Sequence, residues 1–338
     1  MRILVAGGTG VLGRAICSEV RAVLPGAELL IGTRCVEGAA CLPRGLGPHA
    51  RRVPLDARDP VSVRRAIAGA QLVIIALNQD EPLVQQACLE LGVHSVDVGI
   101  GVDLAAQVRS MDRRAADAGL ASIAMAGLFP GLSGLQIGEA IRGLDTIESV
   151  DVFFRQNTNA CVGRSGTIDM LKIVSAPVRR GTSVVRGFRR GSRAEQGLRR
   201  IEHPERDIVT SGLGLDRVEY WTGWNSRAFD SAVATLVAIR ALPRYAPRLA
   251  RLTRHDPMTP ENVELWVRGR GTLAGRPTEQ VVALSATSDY GATAGVAVAL
   301  GVLAARGEVT GAGAPFALTT LDGVLAEMRD GLVAKHLG

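Results

Sequence analysis

Along the first 125 residues, short apolar runs alternate with stretches whose apolar positions recur at helical spacing. The runs at residues 2–6, 28–31, 50–54, 72–76, 95–98 and 122–126 predict strands, and 11–23, 60–68, 81–91 and 104–118 predict helices. Asp59 followed by Pro60 reads as a cap and a first-turn proline. Strands that alternate with helices predict right-handed βαβ units and a parallel sheet covered on both faces. The expected fold class is therefore α/β, beginning with a Rossmann-like doubly wound parallel sheet.

The rhythm changes after Ala126. A breaker-rich crossing, Gly127-Leu-Phe-Pro-Gly-Leu-Ser-Gly134, leads into a predicted helix at 135–142. Strand-like segments follow at 149–155, 262–268 and 280–288, the last two joined through a turn region at 269–276. Helices are predicted at 229–242, 292–305 and 321–337. Residues 177–206 are rich in Arg and Gly and poor in apolar anchors, which reads as a mobile or solvated insertion. The expected organisation is a dinucleotide-binding domain at 1–128, completed by C-terminal helices at about 292–338. A second, α+β domain with a mixed sheet, at 129–291, is assigned substrate binding and dimerisation.

The chain has 338 residues, enough at roughly 100–200 per domain for two cores. No run reaches the roughly 18 apolar residues of a membrane helix, and no leader peptide is expected ahead of a strand that starts at Arg2. The five cysteines, Cys17, Cys35, Cys41, Cys88 and Cys161, show no CxxC pair, and the five histidines lack metal-ligand spacing. Neither a disulfide framework nor a metal site is expected, and the reading is a cytoplasmic protein. The net charge of +6 is carried almost wholly by Arg, since only Lys172 and Lys335 of the 39 basic residues are Lys. That is a habit of the coding sequence more than a nucleic-acid footprint, and aromatics at 4% leave little for base stacking. The partner expected is a small, anionic or phosphate-bearing molecule, with no nucleic acid and no membrane.

The chemistry begins at Gly7-Gly8-Thr9-Gly10-Val11-Leu12-Gly13, which follows the first strand and opens the first helix. In that context the glycines form the phosphate-binding turn of a dinucleotide site. At the end of the second strand, where an NAD site usually places a carboxylate, this chain has Thr33 and Arg34. A hydroxyl donor and a guanidinium suit a 2′-phosphate, so NADP(H) is the expected cofactor; a surface Arg with no such role is the plain alternative. Asp56 ends the third strand, Ala76-Leu77-Asn78 the fourth, and Asp97 the fifth, all at the edge where such sheets bind ligands. Asp97 reads equally as a site acid or as a loop anchor.

Gly7–Gly13, Gly32-Thr-Arg34, Ala87-Cys-Leu-Glu-Leu-Gly-Val-His-Ser-Val-Asp97 and the Gly127-Leu-Phe-Pro-Gly131 crossing together resemble the saccharopine dehydrogenase (saccharopine reductase-like) family. Asp289-Tyr-Gly-Ala-Thr-Ala294 and the segment 318–332 are similar to that family's ending. The resemblance implies an NADP-dependent oxidoreductase acting on a CH–NH group, with a nucleotide domain, a mixed-sheet second domain and a homodimer. Phe129 stands where the family usually carries an acid, which implies a substrate less polar at that point than saccharopine.

Imine reduction needs a hydride from the cofactor and a proton for the nitrogen. The candidate catalytic groups are Asp97, Lys172 and Tyr220. Lys172 has Asp169 at i−3 for a surface pair, and Tyr220 sits in an aromatic stretch that also suits a core. Phe129, Pro130 and Gly131 are expected against the substrate, and Gly127 beside the cofactor. Asp289 reads as a helix cap, and Arg179, Arg180, Arg186, Arg189 and Arg190 as a solvated face or a carboxylate clamp. Three other readings stay open: a thiol-dependent dehydrogenase using Cys161, a non-catalytic NADP-binding sensor, and an enoyl or aldehyde reductase.

Overall fold

A computed structural model describes residues 1–35, 45–178, 185–186, 189–190, 193–194, 197–252 and 255–337. The chain forms two compact units, Met1–Leu135 with Tyr290–Asp330, and Gln136–Asp289 with Gly331–Gly338. The first unit thus runs a few residues past the expected boundary at 128, and the last eight residues group with the second unit, not the first.

In chain order the first unit opens with β1 (Arg2–Ala6), α1 (Val11–Val23), β2 (Glu28–Thr33), β3 (Ala50–Pro54), α2 (Pro60–Ile67), β4 (Leu72–Ile75), α3 (Leu83–Leu91), β5 (His94–Asp97), α4 (Val102–Arg109), α5 (Asp112–Asp117) and β6 (Ala121–Ile123). The central strands β1, β2 and β4 are apolar on both faces because helices cover both, and β4 is buried at every residue. Asp59 caps α2 by accepting the Val61 amide at 2.9 Å, and Gly92 ends α3 in the left-handed region. Two expectations shift. The predicted 104–118 helix is two helices broken at Ser110–Met111. The sixth strand stops at Ile123, because Met125 takes a positive φ of 57°.

α6 (Leu132–Ala140) carries the chain into the second unit. There follow β7 (Thr146–Gln156), α7 (Arg164–Ser175), β8 (Val185–Arg186), β9 (Arg189–Arg190), β10 (Arg193–Ala194), β11 (Leu198–Ile201), α8 (Glu205–Leu213), β12 (Val218–Trp224), α9 (Arg227–Ala238), α10 (Leu242–Leu252), β13 (Val263–Leu273) and β14 (Arg276–Ala286). The return runs through α11 (Asp289–Ala305), β15 (Gly311–Gly313), α12 (Pro315–Leu318), α13 (Leu321–Glu327) and β16 (Val333–Leu337).

The first sheet has the order β15-β6-β5-β4-β1-β2-β3 with every pair parallel. Its 3-2-1-4-5-6 core is the doubly wound nucleotide-binding topology, extended by β15 from the far end of the chain. α11 is apolar all round and is buried at every residue from Ala292 to Ala304. The expected α/β fold class with a mixed second sheet is what the structure has.

The second sheet, ordered β16-β14-β13-β7-β12-β11-β8, pairs β7 with β12 in parallel and all other neighbours antiparallel. Phe153, Leu198, Trp221, Trp266 and Ala283 pack together on one of its faces. β13 and β14 run on to a two-residue turn, Ala274–Gly275, with φ of 50° and 73°, the geometry that matches hairpin twist. The expected strands were therefore too short and the turn too broad. The expected helix at 321–337 is also corrected. It ends at Glu327, Gly331 turns the chain at φ 80°, and Val333–Leu337 pairs antiparallel with β14 as a strand. Within 177–206, Leu198 and Ile201 are buried anchors of β11, so at least this part of the expected insertion is sheet.

Candidate functional site

β1 delivers the glycine turn to the carboxyl edge of the first sheet. Gly7 has φ 80°, and a Cβ there would stand 2.6 Å from the Ala76 carbonyl oxygen, so the turn is pressed onto the end of β4. A Cβ on Gly13 would stand 2.2 Å from the Gly7 carbonyl oxygen, which lets α1 lie against the turn that precedes it. Gly10 differs from both. Its Cβ would meet only the Gly7 oxygen at 3.4 Å, an ordinary contact, so the space in front of it is open. Gly10 is the residue before α1, φ −69° and ψ 170°, and no side chain caps the helix. The amides that open α1, at Val11, Leu12 and Gly13, thus form a positive helix end with room for a phosphate beside it. Gly8 packs inward on Ile31, and the Arg14 guanidinium donates to the Thr9 carbonyl at 3.2 Å, bracing the turn.

Thr33 closes β2 and its hydroxyl lies 3.3 Å from the Cys35 amide, while Arg34 is exposed next to it. Residues 32–35 carry no carboxylate, so nothing in that stretch repels a 2′-phosphate. At the end of β3 the Asp56 carboxylate accepts the Arg58 amide at 3.1 Å and is exposed. Ala76 and Leu77 are half-buried after β4, and Asn78 is exposed. The structure therefore brings Gly7 to Gly13, Thr33, Arg34, Asp56, Ala76, Leu77 and Asn78 to one edge of one sheet. The donors and the open space fit a nicotinamide dinucleotide.

Gly127 and Gly131 pair across the crossing. The Gly127 amide donates to the Pro130 carbonyl at 3.0 Å, and Leu132 donates to the Gly127 carbonyl at 2.9 Å. A Cβ on Gly131 would fall 2.3 Å from the Gly127 oxygen, and φ is 122°, so only glycine closes this turn. The Phe129–Pro130 bond is cis, Pro130 is buried and Phe129 is half-buried.

The three proposed catalytic groups fare differently. Asp97 is 1% exposed and its carboxylate accepts the Gly99 amide at 2.7 Å, Gln85 at 2.6 Å and Gln79 at 3.1 Å. Burial pushes it up to about 6 despite those donors. It anchors the β4 and β5 exits to α3 and presents no oxygen outward. Tyr220 is corrected as a proton donor, being 1% exposed inside the second unit. Its hydroxyl donates to Glu205 at 3.1 Å, its ring stacks on His203 at 4.8 Å, and burial with the Glu205 charge raises its pKa well above 10. Lys172 is corrected too: it is two-thirds exposed and pairs with Asp169 at 3.1 Å, the surface pair expected from the spacing. Arg179 and Arg180 lie outside the described residues, as do the side chains of Arg186, Arg189 and Arg190.

Sequence reading missed a polar cluster in the second unit, where three loops meet at one end of the sheet. The Glu261 carboxylate accepts the Cys161 amide at 3.1 Å and the Ser288 hydroxyl at 2.8 Å, and its other oxygen lies 3.4 Å from His255 Nδ1. Asp289, half-buried beside it, is raised to about 6 by burial and by the Glu261 charge. Its members lie up to about 130 residues apart along the chain, so no spacing rule could have joined them.

No family model matches the chain. Among solved structures it is similar to apo saccharopine dehydrogenase (L-Glu forming) from Saccharomyces cerevisiae, with a TM-score of 0.70 at 11% identity over 99% of both chains. It is also similar to the diaminopimelate (DAP) dehydrogenase of C. glutamicum in complex with DAP, TM-score 0.52 at 16% identity over 98% of this chain and 99% of that one. An engineered D-amino acid dehydrogenase bound to NADP+ gives 0.51 at 16% identity over the same shares. The resemblance carried by the glycine turn, the Gly127–Gly131 crossing and the Asp289–Ala294 segment therefore holds at the level of the fold, which is that of saccharopine dehydrogenase from end to end.

Proposed function

We propose that the protein is an NADP(H)-dependent oxidoreductase that moves a hydride to or from the C=N bond of an amino-acid-like or natural-product substrate. The observation that carries this reading is the open helix end in front of Gly10, set in a doubly wound sheet with Thr33 and Arg34 at the end of β2. The cofactor supplies the hydride when bound. The chain's part is to hold the pyrophosphate at α1, to read the 2′-phosphate with Arg34, and to orient the substrate. Support for the amine chemistry comes from the end-to-end fold likeness to three dehydrogenases whose names denote amino acids or their conjugates. In this reading the second unit holds the substrate and pairs two copies, and the enzyme is cytoplasmic.

Isothermal titration of the protein with NADPH and with NADH tests the cofactor half. Micromolar NADPH binding at least tenfold tighter than NADH supports it, and no binding of either overturns it. Turnover on a panel of keto acids plus amines, imines and enones tests the reaction half. A second reading, a sensor that binds NADP(H) without chemistry, draws on the withdrawal of Lys172 and Tyr220 from the acid–base role, and stoichiometric binding without turnover favours it.

A further inference from the structure

A buried carboxylate, paired with no cation among the described residues, joins two loops at the carboxyl edge of the first sheet. Asp97 closes β5, and each of its oxygens holds a different loop. Oδ1 accepts the Gly99 amide at 2.7 Å, in the loop before α4. Oδ2 accepts Gln85 Nε2, on α3, at 2.6 Å and Gln79 Nε2, in the loop between β4 and α3, at 3.1 Å. Gln79 Nε2 also lies 3.2 Å from Gln85 Oε1, and Gln79 Oε1 accepts the Val84 amide at 3.4 Å. An ionised carboxylate only accepts, so both amide groups turn their nitrogens toward it. The Asp97 carbonyl accepts the Ala126 amide at 2.8 Å, which fixes the carboxylate's own backbone. A Cβ on Gly99 would stand 3.0 Å from Oδ1, so that loop passes close over the carboxylate.

The loop after β4 is held from the inside at two points. Leu77 is half-buried and packs against the cluster that contains Ile75 and Val84. Gln79 is half-buried and bonded to Asp97, whereas Asn78 and Asp80 are exposed. Asn78 is thus set between two fixed neighbours at the end of β4. Burying a carboxylate costs free energy that an apolar side chain in the same place would not. A fold keeps such a group where the placing of a loop outweighs the last increment of stability.

A dinucleotide with its adenosine end at β2 and its pyrophosphate at α1 crosses the switch point between β1 and β4. Its nicotinamide riboside then belongs over the ends of β4 and β5, whose loops Asp97 joins. We propose, on the dinucleotide reading above, that Asp97 and Gln79 are positioning residues that make these two loops one preformed floor for the nicotinamide riboside. Asp97 acts through Gln79 and Gly99, and Gln79 acts through its neighbour Asn78. Loops fixed beforehand spare the ordering cost that binding would otherwise carry, and they hold the ring in one pose.

Gln79→Met and Asp97→Asn in the full chain test it. The probes for calorimetry are NADPH and 2′-phospho-ADP-ribose, the same molecule without its nicotinamide. Wild-type protein should bind NADPH at least tenfold more tightly than the fragment. Each variant should weaken NADPH at least fivefold while its affinity for the fragment stays within twofold. Fluorescence gives a second readout: the dihydronicotinamide emission, shifted when NADPH binds the wild type, should move back toward that of free NADPH in both variants. Gln79→Met leaves the Gln85 and Gly99 bonds to Asp97 in place, so it decides the matter even where Asp97→Asn fails to fold. Variants that bind NADPH as the wild type does overturn the inference. So do variants that lose both ligands to the same degree, which marks the cluster as packing alone, and a wild type that binds the fragment as tightly as NADPH. A wild type that binds neither ligand overturns the cofactor reading instead.

Discussion

Gly13 lies so close to Gly7 that a Cβ on the first would stand 2.2 Å from the carbonyl oxygen of the second. Gly10, between them, shows only a 3.4 Å contact with that same oxygen. Two glycines of one motif thus serve different ends, one for packing and one for access. Gly13→Ala should destabilise the protein by about 1–3 kcal/mol or prevent folding, because backbone must move. Gly10→Ala should cost about 1 kcal/mol of stability or less and yet weaken NADPH at least tenfold. Thermal unfolding beside NADPH titration separates them, and a Gly10→Ala protein that binds normally would sink the assignment.

Arg34→Ala should weaken NADPH by roughly 1–3 kcal/mol, the range for a charge-assisted bond, and leave NADH nearly unchanged. Calorimetry with both dinucleotides reads this directly. Equal losses would mean that Arg34 does not contact the 2′-phosphate.

His203 is 3% exposed and burial lowers it to about 3, against about 6.5 in an unfolded chain. Between those values the unfolded state holds the extra proton, so stability is lost as pH falls from about 7 toward 3. The loss from this group is on the order of 5 kcal/mol at most, at about 1.4 kcal/mol per pH unit. Urea unfolding of His203→Gln over pH 4–7 should show a flatter acid limb than the wild type. An unchanged limb would show that another group carries it.

Asp97 works with the opposite sign. Its folded value is raised to about 6, above that of an unfolded Asp. The folded state therefore holds the extra proton between about pH 4 and 6, and stability falls as pH rises through that window. Asp97→Asn, followed by the same unfolding series, should remove this decline, by up to about 3 kcal/mol. The slope is the readout, since the variant also alters the bonds from Gly99, Gln79 and Gln85.

Phe129→Asp probes the crossing. If Phe129 walls the substrate, KM or substrate preference should change while NADPH affinity holds. If it is packing, thermal stability should fall with kinetics intact.

How much of this was legible before the structure follows from the range of the forces involved. The strands of the doubly wound half announce themselves because β1, β2 and β4 are near-continuous apolar runs and the others alternate with helical stretches between turns. The glycine turn was legible in outline, though the separate duties of Gly10 and Gly13 depend on distances. Tyr220 was misread because the carboxylate that binds it, Glu205, lies 15 residues away and belongs to another element. The final helix was overextended because Val333–Leu337 follows a helical segment, and only pairing with β14 decides for a strand. His255, Glu261 and Asp289 were invisible as a group, since it takes the fold to bring the loop after β7 to them.

Each unit is assembled from two pieces of chain, and β15 and β16 come from the last tenth of the sequence. β15 extends the parallel sheet beside β6, and β16 extends the mixed sheet beside β14. During synthesis, then, neither half can be finished while the C-terminal segment is still inside the ribosome. A nascent chain of 300 residues would show a bare edge on both sheets at once. Strands β15 and β16, made close together in the chain, then cover the open sides of β6 and β14, so one short segment decides when both sheets reach their full width.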